Sequence, residues 1–527
     1  MNYKKNIFIV KCLLVGVFFT VSCNSDILNY DDPNNIDTQT YFKTPEQIRE
    51  AANATYVGIL TERMFGGYWH SMFDVMVNEA APTANAEAVV IPFWRFEYNS
   101  SNQAILNLWR MCYRIILRAN LTIDMGEAYL AEHGDENEMV KQSIGEAHFL
   151  RGWAYWQLAF HYGRVPLRLT YEQGGNEHAP RANTVEEVWE VAEADFKAAQ
   201  TVLPVSWDSK SIGRATSGAA TGFLGKLYLY TKKYAEAEAE FAKMTPNYSL
   251  LPGDQWLDLF GEARQNGVES VFEIQFQHYN GEGTSWYLND LEDAATVYSR
   301  NTMHPRLYSW AGWNNWYFPA KRKYDFIYAD EAGNEYIDPR AALTFYEPAD
   351  GIGDDTDGIG DDTWCDFCPA PGGRPFTQTN LSYKKILNAE YKVSEDALAS
   401  NNNVQMRYAD VLLMRAECAL LGPGSDVAKA LGFINEVRRR IGAFEYQRTY
   451  TADQAFELLV RERNLELMGE HHRFNDLKRW GILKETMDPE LIANGATPMD
   501  PKYYMFPIPL QEIEVNLAIE TPENGWN

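Results

Sequence analysis

Apolar positions along most of this chain recur every three to four residues, the spacing that gathers them on one face of a helix. In "VWEVAEADFKAAQTVL", Val188, Val191, Ala192, Phe196, Ala199 and Leu203 share one stripe, with charged residues between them. The same period predicts helices over 46–62, 103–132, 136–162, 184–202, 216–230, 234–244, 404–421, 426–441, 452–470 and 473–480. Several open on a residue able to cap them. Thr44 precedes Pro45 and Glu46, Thr184 precedes Glu186 and Glu187, and Thr451 precedes Asp453. A hydroxyl there accepts N–H groups that the first turn leaves unpaired. The fold class expected is mainly α.

Two stretches carry a repeat pattern. In "FLGKLYLYTKKYAEAEAEFAKM", Leu224-Gly225-x-x-Tyr228 precedes Ala237-x-x-x-Phe241, the tetratricopeptide spacing, with Thr221 where that pattern has tryptophan. Gly225 and Ala237 are small because two helices must approach closely there. A looser unit places Ala416 on one helix and Ala428 and Phe433 on the next, joined by Gly422-Pro423-Gly424. Between the units, about 250–400, the helical period fades and Gly, Asp, Trp and Tyr accumulate. In "SVFEIQFQ" (270–277), Phe272, Ile274 and Phe276 alternate with Val271, Glu273, Gln275 and Gln277, as in a strand. The pattern therefore describes a tetratricopeptide-repeat-like helical scaffold interrupted by a large irregular, loop-rich insertion with a few short strands. Binding residues concentrate on such irregular segments held by rigid scaffolds.

The start of the chain changes the picture. Lys4 and Lys5 precede an apolar run from Ile7 to Val21, ending at Ser22-Cys23. That is the layout of an export signal, too short for a membrane span. A small residue before cysteine is the lipoprotein pattern, with Cys23 the lipid attachment site; an ordinary secretory signal is the alternative. The expected organisation is a lipoprotein signal peptide over 1–22, a flexible tether over 23–45 and a single domain over 46–527. Within that domain the scaffold spans about 46–250 and 401–485, the insertion about 250–400, and a C-terminal extension 486–527.

The chain carries 47 Lys and Arg against 73 Asp and Glu, a formal charge of −26. So acidic a protein does not suit phosphate backbones, so nucleic acid is not an expected partner; neutral ligands suit it better. Among the cysteines, Cys112 and Cys418 lie in apolar helical patterns and read as buried free thiols.

The insertion holds the candidate chemistry. Trp286, Tyr287, Trp310, Trp313, Trp316, Tyr317 and Trp364 lie mostly among Gly, Asn and Ser, and the N-terminal half adds Trp69 and Trp94. Rings with polar neighbours suit sugars, whose apolar faces stack while their hydroxyls meet side chains. The same rings could equally pin down an irregular segment. The repeated "DGIGDDT" units (350–363) offer Asp355, Asp357 and Asp361 as oxygen ligands for Ca²⁺, or form a solvated acidic loop; their spacing is not that of an EF-hand. Cys365 and Cys368 are spaced for a local disulfide or stay free thiols; no second CxxC completes a zinc site. No organic cofactor is expected. There is no G-x-S-x-G, H-E-x-x-H or glycine-rich phosphate loop.

Five stretches together resemble the SusD/RagB family of outer-membrane nutrient-binding lipoproteins. They are "GEAHFLRGWAYWQLAFHYGRVPL" (145–167), "TSGAATGFLGKLYLYTKKYAEA" (216–237), "MRYADVLLMRAECAL" with "INEVRRRIG" (406–442), "RERNLELMGEHHRFNDLKRWG" (461–481) and "YMFPIPLQEIEVN" (504–516). The resemblance implies a non-catalytic, lipid-anchored, surface-exposed protein that captures glycan for a SusC-like TonB-dependent transporter. It also implies aromatic platforms drawn from an N-terminal loop (Trp69 or Trp94) and from the insertion (Trp286, Tyr287, Trp310, Trp313 or Trp316). The alternatives are capture of peptide or another nutrient and, from a different class, an exported hydrolase.

The densest charge lies in "ERNLELMGEHHRFNDLKRWG" (462–481). Glu462, Glu466 and Glu470 are spaced for one helical face, and Arg463, Arg473 and Arg479 are near enough in sequence to meet them and Asp476. Adjacent His471 and His472 project in different directions, unlike a helical zinc pair. The expectation is an ion-paired helix–turn–helix clasp rather than a catalytic centre. Replacing His471 and His472 together should leave ligand binding intact in a titration assay; lost binding in a still-folded double variant would sink that reading.

Overall fold

The computed structural model describes residues 41–60, 65, 67–134, 136–171, 178–261, 264–276, 302, 304–308, 315–346, 380–385, 400–520 and 525–526. Trp286, Tyr287, Trp310, Trp313, Asp355, Asp357, Asp361, Cys365, Cys368 and Cys23 lie outside the described residues.

The N-terminal helices are α1 (Pro45–Val57), α2 (Tyr68–Met76), α3 (Ile91–Trp94), α4 (Gln103–His133), α5 (Glu138–Tyr162), α6 (Val185–Val202), α7 (Ser217–Tyr230) and α8 (Tyr234–Ala242). The insertion contributes α9 (His304–Tyr308) and α10 (Ala341–Thr344). The C-terminal helices are α11 (Tyr408–Leu421), α12 (Val427–Arg440), α13 (Ala452–Leu467), α14 (Arg473–Trp480), α15 (Leu483–Ala493) and α16 (Leu510–Val515). The caps act as their sequence suggests. Thr44 and Thr451 each form a reciprocal capping box, with Gln47 and Gln454, and the Thr184 hydroxyl accepts from the Glu187 N–H.

From α4 to α8 each helix packs on the next, and α8 packs on α11. The two repeat units are therefore neighbours although the insertion separates them in sequence. Their contact is made by apolar packing and by an ion pair between Arg415 and Glu238 at 3.0 Å. Gly225 explains the closeness of α7 and α8: a Cβ there would lie 2.6 Å from the Phe241 ring. No side chain fits in that gap without moving the ring.

Eight short strands lie among the described residues: β1 (Ala81–Pro82), β2 (Ser270–Ile274), β3 (Trp316–Pro319), β4 (Ile327–Ala329), β5 (Glu335–Ile337), β6 (Phe345–Tyr346), β7 (Asn380–Tyr383) and β8 (Asn403–Arg407). The strand expected at 270–277 forms as β2. It pairs antiparallel with β8, Ser270 facing Arg407 and Ile274 facing Asn403. This corrects the expected helix over 404–421. Its first residues are strand, because their backbone groups bond to β2 rather than along a helical turn, and tertiary pairing outweighs weak local propensity. The pair brings both ends of the insertion back to one place on the scaffold.

The apolar core does not divide between scaffold and insertion. One contiguous cluster joins Trp153 and Phe223 of the scaffold to Trp316, Phe345 and Tyr383 of the insertion. Phe506, from the C-terminal extension, stacks on His161 with ring centres 5.3 Å apart. Cys112 and Cys418 are buried free thiols. A Gly225→Val variant should lose about 1–3 kcal/mol in denaturant unfolding, because the added carbons overpack the α7–α8 contact.

Candidate functional site

The candidate binding face lies where the N-terminal segment after α2 meets the insertion. Strands β1, β3, β7 and β6 form one sheet in that order, so this edge is assembled from three distant parts of the chain. Ala81 faces Tyr317 and Pro82 faces Trp316. Two further hydrogen bonds seal the junction: the Thr83 N–H donates to the Asn315 carbonyl at 2.9 Å, and the Asn315 side-chain amide donates to the Asn85 carbonyl at 2.8 Å.

The period of a strand then sorts the rings. In "WYFP", Trp316 and Phe318 turn into the core and Tyr317 turns the other way, half-buried. Trp316 is 0% exposed, so as a ligand platform it is corrected: no ring face is open to stack on a sugar. Trp69 needs the same correction. It is 5% exposed, wedged between Phe65 and Phe73 with ring centres at 4.6 and 4.7 Å. Both tryptophans fill core, the role open to any large ring among polar neighbours in sequence. Trp94 is different. It is half-buried on α3, which packs against β1, and the Arg95 guanidinium lies 5.5 Å from its ring centre. Nearby in sequence, half-buried Glu87 has its carboxyl raised to about 7 by burial, partly offset by the Asn315 side chain. Tyr324, 69% exposed, also lies on the insertion. Glu87, Arg95 and Tyr324 escape the sequence reading. For Tyr317 the signal was the two-residue alternation of "WYFP" itself.

The charged stretch 462–481 is ion-paired: Asp476 has two of its expected partners, Arg463 and Arg479, whereas Glu462, Glu466 and Glu470 meet cations from outside the stretch. Arg340, from the insertion, meets Asp338 at 2.8 Å, Glu462 at 2.7 Å and Glu466 at 3.1 Å. Arg407, at the end of β8, meets Glu269 at 2.9 Å, Glu466 at 2.6 Å and Glu470 at 2.7 Å. Arg438 bonds Glu462 at 2.8 Å, and Arg440 bonds Glu269 at 3.3 Å and also reaches Glu466. Lys385 donates to Glu470 at 2.5 Å and to the carbonyls of Glu466 and Met468 at 2.9 Å. Of the arginines within the stretch, Arg463 meets Asp476 at 2.7 Å and Asp410 at 2.9 Å, and Arg479 meets Asp476 at 2.8 Å and reaches Glu417. Arg473 instead donates to the Asn464 side-chain oxygen. The helix ends at Leu467, so Glu470 sits in the turn beyond it rather than on the same face.

These neighbours set the protonation states. Burial alone would raise the Glu466 carboxyl, but the guanidiniums of Arg440, Arg407 and Arg340 outweigh it and hold it well below the usual range. Glu470, likewise buried, is brought down to about 2 by Arg407 and Lys385. Burial depresses His471 to about 3 and His472 to about 4, so both rings are neutral at pH 7. The two rings do diverge: the His471 Nδ1 lies 2.8 Å from Asp74, while His472 faces Asp410 at 4.0 Å. Asp74 and Glu79 are buried together, and desolvation raises both carboxyls.

A family model described as "Starch-binding associating with outer membrane" matches residues 31–229, and the SusD family model matches 268–526. The chain belongs to the SusD family. It is 25% identical to SusD-like protein P25 of Formosa agariphila, over 98% of this chain and 99% of that one. A SusD-like protein of Bacteroides ovatus is 24% identical over 87% of this chain and 80% of that one. A SusD superfamily protein from Bacteroides vulgatus has the same fold, with a TM-score of 0.73 and 25% identity over 92% of this chain and all (100%) of that one. Surface glycan-binding protein A from Bacteroides thetaiotaomicron, solved in complex with laminarihexaose, superposes with a TM-score of 0.70 at 22% identity, over 91% of this chain and 99% of that one. No described helix is long and apolar enough to cross a membrane.

Acid should destabilise this fold steeply. Glu470 keeps its proton off down to about 2, where an unfolded glutamate takes one up near 4.5. Its contribution is complete above that ordinary value and is lost as pH falls toward 2. The histidines act in the same direction, since the unfolded chain protonates them near 6.5 and the folded chain only near 3 to 4. Raised Asp74 and Glu79 oppose the histidines above about pH 4.5, so the steep fall belongs below it. Denaturant midpoints measured from pH 6 to pH 3 should drop, and Glu470→Gln should flatten the slope below pH 4.5.

Proposed function

We propose that this protein is a cell-surface, lipid-anchored glycan-binding protein, tethered through Cys23, that delivers oligosaccharide or polysaccharide to a SusC-like TonB-dependent transporter. It binds without cleaving. The observation that carries this reading is the match of nearly the whole chain, at its full relative length, to SusD-like proteins. Solved proteins of the same fold include one described as a laminarin-binding SusD-like protein and the laminarihexaose complex. The family description itself names starch binding and the outer membrane.

Among the described residues the candidate platform is Trp94 and Tyr317 beside β1 and β3; Trp286, Tyr287, Trp310 and Trp313 are candidates on their sequence context alone. A ring with one free face and polar neighbours stacks on the apolar face of a pyranose while Asn, Asp and Arg meet its hydroxyls. The acidic surface steers the choice toward neutral glycans.

Affinity electrophoresis against neutral polysaccharides, laminarin and starch included, tests this. At least one should retard the protein. Trp94→Ala or Tyr317→Ala should weaken that binding about tenfold, equivalent to ~1.4 kcal/mol. Retardation by no glycan, or retention of peptides alone, would remove the reading, and release of sugar products by the purified protein would make it an enzyme.

A further inference from the structure

Three side chains that the glycan-binding reading does not use meet behind the binding face. Asp74 comes from α2, His304 from the start of α9, and His471 from the turn between α13 and α14. One carboxylate oxygen and one nitrogen from each imidazole lie within 4.8 Å of one another. We propose that these three residues form a binding site for a divalent transition-metal ion, with Zn²⁺ the best-matched ion.

The donor set selects the ion class. Two imidazole nitrogens and one carboxylate suit zinc and its first-row neighbours, while calcium and magnesium prefer oxygen alone. The surroundings hold the donors in place. The Tyr308 hydroxyl donates to Asp74 Oδ2 at 2.7 Å, which orients the carboxylate and leaves Oδ1 turned toward His471. Such an outer partner on a ligand carboxylate is the usual support of a metal site. His471 is held at φ +64°, a left-handed conformation that costs a non-glycine residue energy and here aims its ring at Asp74. The His304 and His471 ring centres are 5.1 Å apart with planes at 58°, so the imidazoles converge without stacking.

The ion would replace the proton shared by His471 Nδ1 and Asp74 Oδ1, which lie 2.8 Å apart. Those two atoms need to separate by only about 0.5 Å to reach the ~3.3 Å spacing of tetrahedral ligands on ~2.0 Å bonds. A small cavity of about 40 Å³, lined by Thr302, His304, Asn403 and His471 among others, adjoins the cluster and has room for a water as the fourth ligand. An ion so placed would join α2, the insertion and the α13–α14 turn at one point, a structural rather than catalytic role.

The test uses the chain without residues 1–22 carrying Cys365→Ser and Cys368→Ser, which removes these two sulfurs as competing ligands whether bonded or free. After EDTA treatment the protein is titrated calorimetrically with ZnCl₂, and with CoCl₂ by absorption. One equivalent of Zn²⁺ should bind with Kd below about 10 μM, and Co²⁺ should give visible d–d bands without a thiolate charge-transfer band. His304→Gln, at a half-buried position, should weaken Zn²⁺ binding about 100-fold while circular dichroism stays unchanged. Asp74→Asn should do the same if it folds, and a tenfold excess of CaCl₂ should not displace the zinc. Absence of a saturable equivalent, unchanged binding in His304→Gln, or displacement by calcium would each overturn the proposal. None of these readouts depends on glycan binding.

Discussion

The structure depends on a buried, balanced set of charges between the scaffold and the insertion. Arg340, Arg407, Arg438, Arg440 and Lys385 meet Asp338, Glu269, Glu462, Glu466 and Glu470 with almost no exposure to solvent. Desolvating so many ions is expensive, and it is tolerated because every charge has opposite neighbours and hydrogen bonds at short range. The consequence is positional. An insertion that shifted by a few ångströms would strand ions in a low dielectric, at about 3–5 kcal/mol for each broken partner. The network therefore fixes where the insertion sits more sharply than apolar packing could, because apolar contacts are not directional.

The proposed binding face inherits that precision. Arg340, just before α10 and β6, and Lys385, just after β7, anchor the β7–β6 end of the sheet. Trp316, Phe318, Phe345 and Tyr383 then continue the scaffold core beneath it. Tyr317 is held at the edge by a strand whose other side chains are locked inward. A rigid floor under an irregular surface lets ligand-facing loops vary without disturbing the fold. The Asp74–His304–His471 cluster lies in the same seam, where α2, α9 and the α13–α14 turn converge.

The long helices, their caps and the repeat pair were legible along the chain because each rests on residues a few positions apart, whereas the shorter α2, α15 and α16 were not among the expected helices. Gly225 and Phe241 are a clear case: the spacing called for a close helix pair, and the ring fills the space a side chain would need. The β2–β8 pair was half legible. Alternation marks β2, but β8 depends on a partner more than a hundred residues away, and its own residues suit a helix. The N-terminal segment and the insertion, the two regions named as ligand platforms, do pair at β1 and β3, but two of the individual rings proposed there are core. Trp69 and Trp316 sit among polar residues in sequence, yet their surroundings in space are apolar.

The stretch 462–481 divides what each level determines. Its sequence by itself established that a run of paired carboxylates and arginines had to be satisfied by opposite charge, since buried ions without partners are not tolerated. It also established that the adjacent histidines point apart. Only the tertiary structure decided who the partners are. Local arginines within helical reach were the natural candidates, but Glu462 and Glu466 face inward, toward Arg340, Arg407, Arg438 and Arg440. Which residue a buried charge meets is set by the packing of whole elements, and that information is spread over chain segments too distant for any local pattern to record. The same reason hides a three-residue cluster whose members stand at positions 74, 304 and 471.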